Sequence, residues 1–393
     1  MIRRLSRLFA APFRIFFFLA GGYSIVIMGL WLPVYAGAMA PPERFGPALW
    51  HGHEMIFGYT GAVLAGFLLT AVANWTGVPA WNRWPLAWLG GVWLAGRIAV
   101  TCGDSWPAGL VALVDLTYLP ALAAMVALPV LKTGNRRQWV FLALLAGLAA
   151  ANLMVHLEAM GVLAGGGRRG LGLAVTLVVA IIAVMGGRII PMFTTNALRQ
   201  RGDLGAPKLR PWVERLALPV LIGLAGADLF DEGGPVAAVA ALSAAVIHGV
   251  RLSGWRGHRT LDQPILWVLH LGYGWLVLGL LLKGLAPLRP DLPPNLALHA
   301  LTVGAIGTLS LGVMTRVALG HTGRPFQVAP VVVAAYGLIT AAAVVRVAGP
   351  VLMAGGGGTV MHAAGGLWAA AFAAFLAGYA GILTSPRVDG RPG

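Results

Sequence analysis

The sequence places imidazoles and carboxylates where they are costly. His51, His53 and Glu54 open an apolar run that continues to Val72. Ionisable groups there need a protein interior, a cavity or a bound group to face. Further along come Arg97, Asp115, His156, Glu158, His299 and His362, with His248, His270, Arg188, Arg316 and His321 as a sparser second set. Imidazole is a favoured axial donor for haem iron, and copper also takes it, with thioether when reduced. A helix turns about 100° per residue, so His51 and His53 point to nearly opposite sides while His51 and Glu54 share a face. One regular helix therefore cannot aim both histidines at one metal. His53 and His299 are the expected haem ligands, approaching one plane from two sides, with His51 as the alternative. His51, His362, Met55 and Met361 remain as donors for a second metal, copper, to which Glu54 and His156 are further candidates. Arg97, Arg188 and Arg316 are the cations that would neutralise propionates or another anion, and Arg97 has the best depth. Two plainer readings stand beside these: His156 as a satisfied core histidine, and Arg97 with Asp115 as a structural ion pair. The single cysteine, Cys102, excludes an intrachain disulfide, a thiolate iron–sulfur cluster and a multi-cysteine zinc site.

The elements that must position these groups are membrane helices. Of 393 residues, 58% are hydrophobic and 10% charged, with mean hydropathy +0.81, whereas a soluble domain carries about 25% charged residues. A bilayer span needs about 20 mostly apolar residues. Twelve such segments are expected, at 16–36, 51–73, 85–101, 108–131, 139–163, 171–193, 213–229, 235–250, 264–283, 295–318, 328–347 and 359–384. The reading is an all-α polytopic bundle of about twelve transmembrane helices, a single integral membrane domain over 1–393 with short cytoplasmic termini, 1–15 and 385–393. The net charge of +15 does not describe a nucleic-acid surface, because the 28 Lys and Arg are scattered over short loops. With the N-terminus inside, 18 of them fall on the inner side and 6 on the outer, as the positive-inside rule requires. The first apolar segment runs on into the polytopic pattern with no convincing cleavage site, so no cleaved secretory signal is expected.

That orientation gathers His51, His53, Glu54, Arg97, Asp115, His156, Glu158, His299 and His362 in the outer layer, nine titratable side chains from six helices. His299 and His321 are 22 residues apart, roughly 33 Å along a helix, so one metal cannot take both. Arg215 and His248 lie near helix ends and are expected to snorkel into headgroups. The inner ends of the second, sixth and tenth helices read GFLLTAVANWTG, GGRIIPMFTTNAL and GVMTRVALGHTG, which suggests a pseudo-threefold arrangement of four-helix units. The 55 glycines let helices approach closely or leave room for a flat group.

Five stretches carry a resemblance: PFRIFFFLAGGYSIVIMGLWLP, WHGHEMIFGYTGAVLAGFLLTAVANWTG, NLMVHLEAMG, GGRIIPMFTTNAL and HALTVGAIGTLSLGVMTRVALGHTGRP. Over nearly the whole length the chain resembles the NnrS family, membrane proteins associated with haem, copper and the bacterial response to nitric oxide. The resemblance implies haem and copper content, a bacterial inner-membrane location and a role in relieving nitrosative stress. His51, His53, Glu54, His156, Glu158, Arg188, Asn196, His299, Arg316 and His321 stand in these motifs. A looser likeness to haem–copper oxidases and nitric-oxide reductases lacks their copper triad, since the sixth and seventh segments contain no histidine. Nitric oxide or a small adduct is the expected ligand, membrane lipid the surroundings, and quinol or another membrane donor the source of any electrons. Two rival functions are a secondary transporter relaying protons through Glu54, Glu158 and Asp115, and a quinol-linked membrane oxidoreductase.

Overall fold

The structure, a computed structural model, describes residues 6–203, 205–289, 293, 295–353 and 356–391. Arg3 and Arg4 of the inner-side count, and the extreme ends of both expected termini, lie outside the described residues. Twelve helices follow one another: α1 (Pro12–Tyr35), α2 (Gly46–Thr76), α3 (Trp84–Cys102), α4 (Ala108–Thr133), α5 (Arg136–Ala159), α6 (Gly166–Gln200), α7 (Pro211–Phe230), α8 (Pro235–Ser253), α9 (Pro264–Leu288), α10 (Asn295–His321), α11 (Pro330–Leu352) and α12 (Gly357–Thr384). No strand occurs among the described residues. Eleven of the helices are long and apolar enough to cross a bilayer. The exception, α7, carries Glu214, Arg215 and Asp228 among its 20 residues. The chain is an all-α, multi-pass membrane protein.

Local sequence sets the helix ends. Proline stands in the first turn of α1, α3, α7, α8, α9 and α11, where its missing N–H costs nothing and its fixed φ suits the helix. At the C-termini of α2 and α10 the chain turns off through Gly77 and Gly323, at φ 71° and 72°, a conformation that a Cβ penalises. Arg14, buried in the first turn of α1, donates Nη1 to the carbonyls of Ile382, Leu383 and Ser385 at 3.2, 2.7 and 2.7 Å. It thereby satisfies orphan acceptors at the end of α12. Arg387 does the same for His321 O, the last residue of α10, at 2.7 Å.

The contacts divide the chain into two compact units. Unit 1 comprises Met1–Ala174, Met314–Phe326 and Phe372–Gly393; unit 2 comprises Val175–Val313 and Gln327–Ala371.

A repeat links the first helices to the last. Between α2 and α10, His53, Gly58, Gly61, Gly66 and Gly77 recur at one constant interval as His299, Gly304, Gly307, Gly312 and Gly323. Packing follows the same register. A methyl group on Gly66 would lie 2.7 Å from Phe17 and 3.1 Å from Phe16 of α1. One on Gly312 would lie 2.9 Å from Leu269 and 3.0 Å from Val268 of α9, the residues matching Phe17 and Phe16. Likewise Gly58 meets Tyr23 at 2.7 Å, and Gly304 meets Trp275 at 2.6 Å. Most telling, both helices widen into a π-helical segment at the same point, Glu54–Thr60 in α2 and Ala300–Gly307 in α10, immediately after the matched histidine. The π geometry is rare and concentrates at functional sites. The sixth helix supplies the matching Gly186 but no π segment.

Candidate metal centre

The π segment of α2 shapes the centre. Its i→i+5 bonding changes the backbone register, and side chains from the segment itself and from neighbouring helices supply further donors. Thr60 Oγ1 donates to Met55 O at 2.9 Å, Trp93 Nε1 to Gly58 O at 2.9 Å and Tyr118 OH to Gly61 O at 3.0 Å. With this backbone His53 and Glu54, adjacent in sequence, both reach one buried polar pocket inside unit 1. Arg97 of α3, Asp115 of α4, and Asn152 and His156 of α5 enter the same pocket, and all of these side chains are at most 3% exposed.

His53 Nδ1 faces Glu54 Oε1 at 2.9 Å, while Nε2 faces Asp115 Oδ2 at 3.1 Å and Asn152 Oδ1 at 2.9 Å. Both ring nitrogens meet carboxylate oxygens, so the ring lies between Glu54 and Asp115. His156 Nε2 reaches the same Asp115 oxygen at 2.9 Å, and Asn152 Nδ2 donates to it at 2.8 Å. Arg97 bridges the two acids, with Nη1 on Glu54 Oε1 at 2.5 Å and Nη2 on Asp115 Oδ1, and Tyr23 OH donates to the other oxygen of Glu54. The Arg97 guanidinium thus bridges two carboxylates that also flank the His53 ring. A buried ionic group of this kind costs desolvation unless every member is paired, and here the pairing is nearly complete. Small residues admit the arrangement: a methyl group on Gly58 would come within 3.1 Å of Arg97, and one on Gly96 within 2.8 Å of Asp115.

One nitrogen each of His53 and His156 and an oxygen of Asp115 lie within 4.8 Å of one another, close enough to hold one ion. Aromatic rings close the pocket around the imidazoles. Phe57 and Phe45 stand 5.0 and 5.8 Å from the His53 ring centroid, and Phe45 stands 5.6 Å from that of His156.

Of the side chains expected from sequence, the structure brings His53, Glu54, Arg97 and His156 together with Asp115. It adds Asn152 and Tyr23, which sequence reasoning missed. His51 lies elsewhere in unit 1, half-buried and stacked on Trp31 with ring centroids 4.1 Å apart and planes 15° from parallel. Glu158 accepts the Gly167 amide at 2.7 Å, at the start of α6. Arg316, half-buried in unit 1, sits over the Phe326 ring at 4.1 Å. His299, His362 and Arg188 belong to unit 2. His299 is half-buried, and its Nδ1 donates to Asn295 O at 2.7 Å; His362 is exposed, and its Nδ1 donates to Gly358 O at 2.8 Å; Arg188 is exposed.

His248 departs from expectation. It is fully buried, not at the headgroups, because Tyr273 OH lies 2.6 Å from Nδ1 and Ala217 O lies 3.0 Å from Nε2. Arg251 completes that second network, donating to Ala183 O at 2.6 Å, Tyr273 OH at 3.1 Å and Glu214 at 3.0 Å.

These features define a class: a multi-pass membrane protein with a buried imidazole–carboxylate–guanidinium centre beside a π-helical turn. Residues 7–387 match the NnrS family, described as NnrS protein, and the chain belongs to that family. Membership makes it a protein related to the nitric oxide response, in a family known for binding metal. No curated protein matches the sequence.

Proposed function

We propose that the chain is a haem- and copper-containing protein of the bacterial inner membrane that binds nitric oxide or its adducts and relieves nitrosative stress, with the copper ion held by His53, Asp115 and His156. The observation that carries this reading is the convergence of two imidazole nitrogens on one carboxylate oxygen in a sealed pocket. Two imidazoles with a carboxylate suit a late first-row divalent ion, and copper heads that affinity order. Glu54 on His53 Nδ1 is the outer partner that a metal-bound histidine commonly has, fixing tautomer and ring orientation. Asn152 and Arg97 hold Asp115 from its other sides. A bound copper ion supplies a redox-active centre able to take a diatomic ligand. The protein's part is to orient the imidazoles, keep water out with Phe45 and Phe57, and balance charge through Arg97.

The pocket suits an ion better than a porphyrin, since aromatic rings lie within 6 Å of both imidazoles and His53 has no exposed edge. The haem therefore falls to other histidines. The split of positive residues supports both termini in the cytoplasm, and quinol or another membrane donor would supply electrons.

The test is copper content of the full chain purified in detergent after growth with copper. Wild type and Glu158→Gln are expected to carry about one copper per chain. His53→Ala and His156→Ala should fall at least tenfold, a loss of the size known for ligand or supporting-shell changes, and cells bearing either should recover more slowly from a nitric oxide donor. Monodisperse His53→Ala and His156→Ala proteins with unchanged copper would end the assignment.

A further inference from the structure

Unit 2 carries a groove remote in sequence from the metal centre. It lies where α8 gives way to α9 and encloses about 570 Å³. Its lining is graded from one end to the other. Ser253, Arg256 and His258 stand at the loop end, and Trp267, Leu271 and Gly274 follow one another down α9. Spacings of four and three put these last three on one face of the helix. They carry an apolar floor about 10 Å from the loop into the bilayer, and all three are half-buried. Gly274 keeps that floor deep, since a methyl group there would meet only Leu252, at 3.9 Å. His270, also in the wall, spends Nδ1 on Leu266 O at 3.1 Å.

The cation at the polar end is uncommitted. Three acids lie in the segments around it, and a different arginine holds each: Arg259 donates to Asp203 at 2.6 Å, Arg251 to Glu214 at 3.0 Å and Arg201 to Asp262 at 2.9 Å. Arg256 is left with the through-space pull of Asp203, and among the described residues it makes no hydrogen bond or ion pair. The backbone presents this side chain at a cost. Arg256 sits in the left-handed region at φ 56° and ψ 35°. Apart from Arg83 it is the only non-glycine residue with positive φ among those described. Glycine would hold that conformation without strain, and strain of this kind concentrates where a side chain's position matters.

We propose that the α8–α9 groove binds an anionic phospholipid, with its phosphate on Arg256, Ser253 and His258 and an acyl chain along Trp267, Leu271 and Gly274. Charge selects the occupant. An open guanidinium beside a hydroxyl and an imidazole suits a phosphate, and basic pockets on the positively charged side of a membrane bundle take acidic headgroups. Tryptophan is at home at headgroup level. The change from polar to apolar along the groove follows the change along the lipid itself.

The experiment titrates the detergent-purified full chain with phosphatidylglycerol and, separately, with phosphatidylcholine of the same acyl chains, following the bound fraction by native mass spectrometry. Wild type is expected to bind phosphatidylglycerol more tightly by about fivefold, the scale of one basic residue at a lipid surface. Arg256→Gly removes the cation and suits the backbone it leaves. It should abolish that preference while melting close to wild type in detergent alone. Gly274→Leu should fill the floor and weaken both lipids; if it does not fold, Arg256→Gly decides alone. Arg137→Gln, an exposed arginine near the start of α5, should keep the wild-type preference. Glycerol 3-phosphate, the headgroup chemistry without the chains, should not displace the lipid at equal concentration. Equal affinity of wild type for the two lipids, an undiminished preference in Arg256→Gly, or displacement by equimolar glycerol 3-phosphate would overturn the proposal.

Discussion

Arg97→Leu is expected to yield little or no folded protein. The guanidinium reaches Glu54 and Asp115 at once, and its loss leaves two buried carboxylates with only the His53 ring between them. Removing one partner of a buried ion pair costs about 3–5 kcal/mol, a large part of a total stability of about 5–15 kcal/mol. A carboxylate can escape the penalty only by taking a proton, which turns one oxygen into a donor and weakens it as an acceptor for the bonds that Tyr23, His53, Asn152 and His156 now make. The double variant Arg97→Leu/Asp115→Asn should recover part of the loss, because Glu54 then pairs with His53 alone. Yield and thermal midpoint in detergent measure both. An Arg97→Leu protein that melts with wild type would show that the network contributes nothing to the fold.

The second large effect concerns Gly187. A methyl group there would stand 1.8 Å from the Arg251 guanidinium, so any side chain must expel Arg251 from its bonds to Glu214, Ala183 O and Tyr273 OH. Hydrogen bonds to charged groups are worth about 1.5–3 kcal/mol each. Gly187→Leu is therefore expected to lose at least ~3 kcal/mol and to melt far below wild type. Gly22→Ala should be nearly silent, because nothing lies within 4 Å of the added methyl. Matching melting curves for Gly187→Leu and wild type would remove Arg251 from the supports of unit 2.

The second case also shows what sequence could and could not disclose. Hydropathy locates the eleven helices apolar enough to span, since each such run must be sealed by its own backbone hydrogen bonds in lipid, and α7 as a less apolar twelfth. The GG of GGRIIP is visible as a motif, but its reason lies in Arg251, far along the chain. Arg251 itself looks like one more positive residue at an inner helix end. Glu214 and Tyr273, brought in by α7 and α9, and the Ala183 carbonyl of α6 turn it inward.

At the centre, charge was the legible signal. His53, Glu54, Arg97, Asp115 and His156 announce themselves because ionised groups are rare in apolar runs. Asn152 and Tyr23 are neutral and blend into their helices, yet each supplies a bond that the acids require. The π segment is invisible to composition because it is a matter of hydrogen-bond register. The recurring glycines of α2 and α10 were open to reading, for their spacing matches without gaps from His53 and His299 onward. The likeness of α2 and α10 runs from the histidine to the terminal glycine, whereas that of the three inner ends covers only the last turns.

The tie between Arg14 and the carbonyls of Ile382, Leu383 and Ser385 has a consequence for synthesis. Helices enter the membrane in the order they leave the ribosome, so this guanidinium is in place before the acceptors it is buried against have been made. Loss of α12 would thus leave the buried Arg14 guanidinium without these three acceptors, so the first helix cannot be held in its native packing without the twelfth.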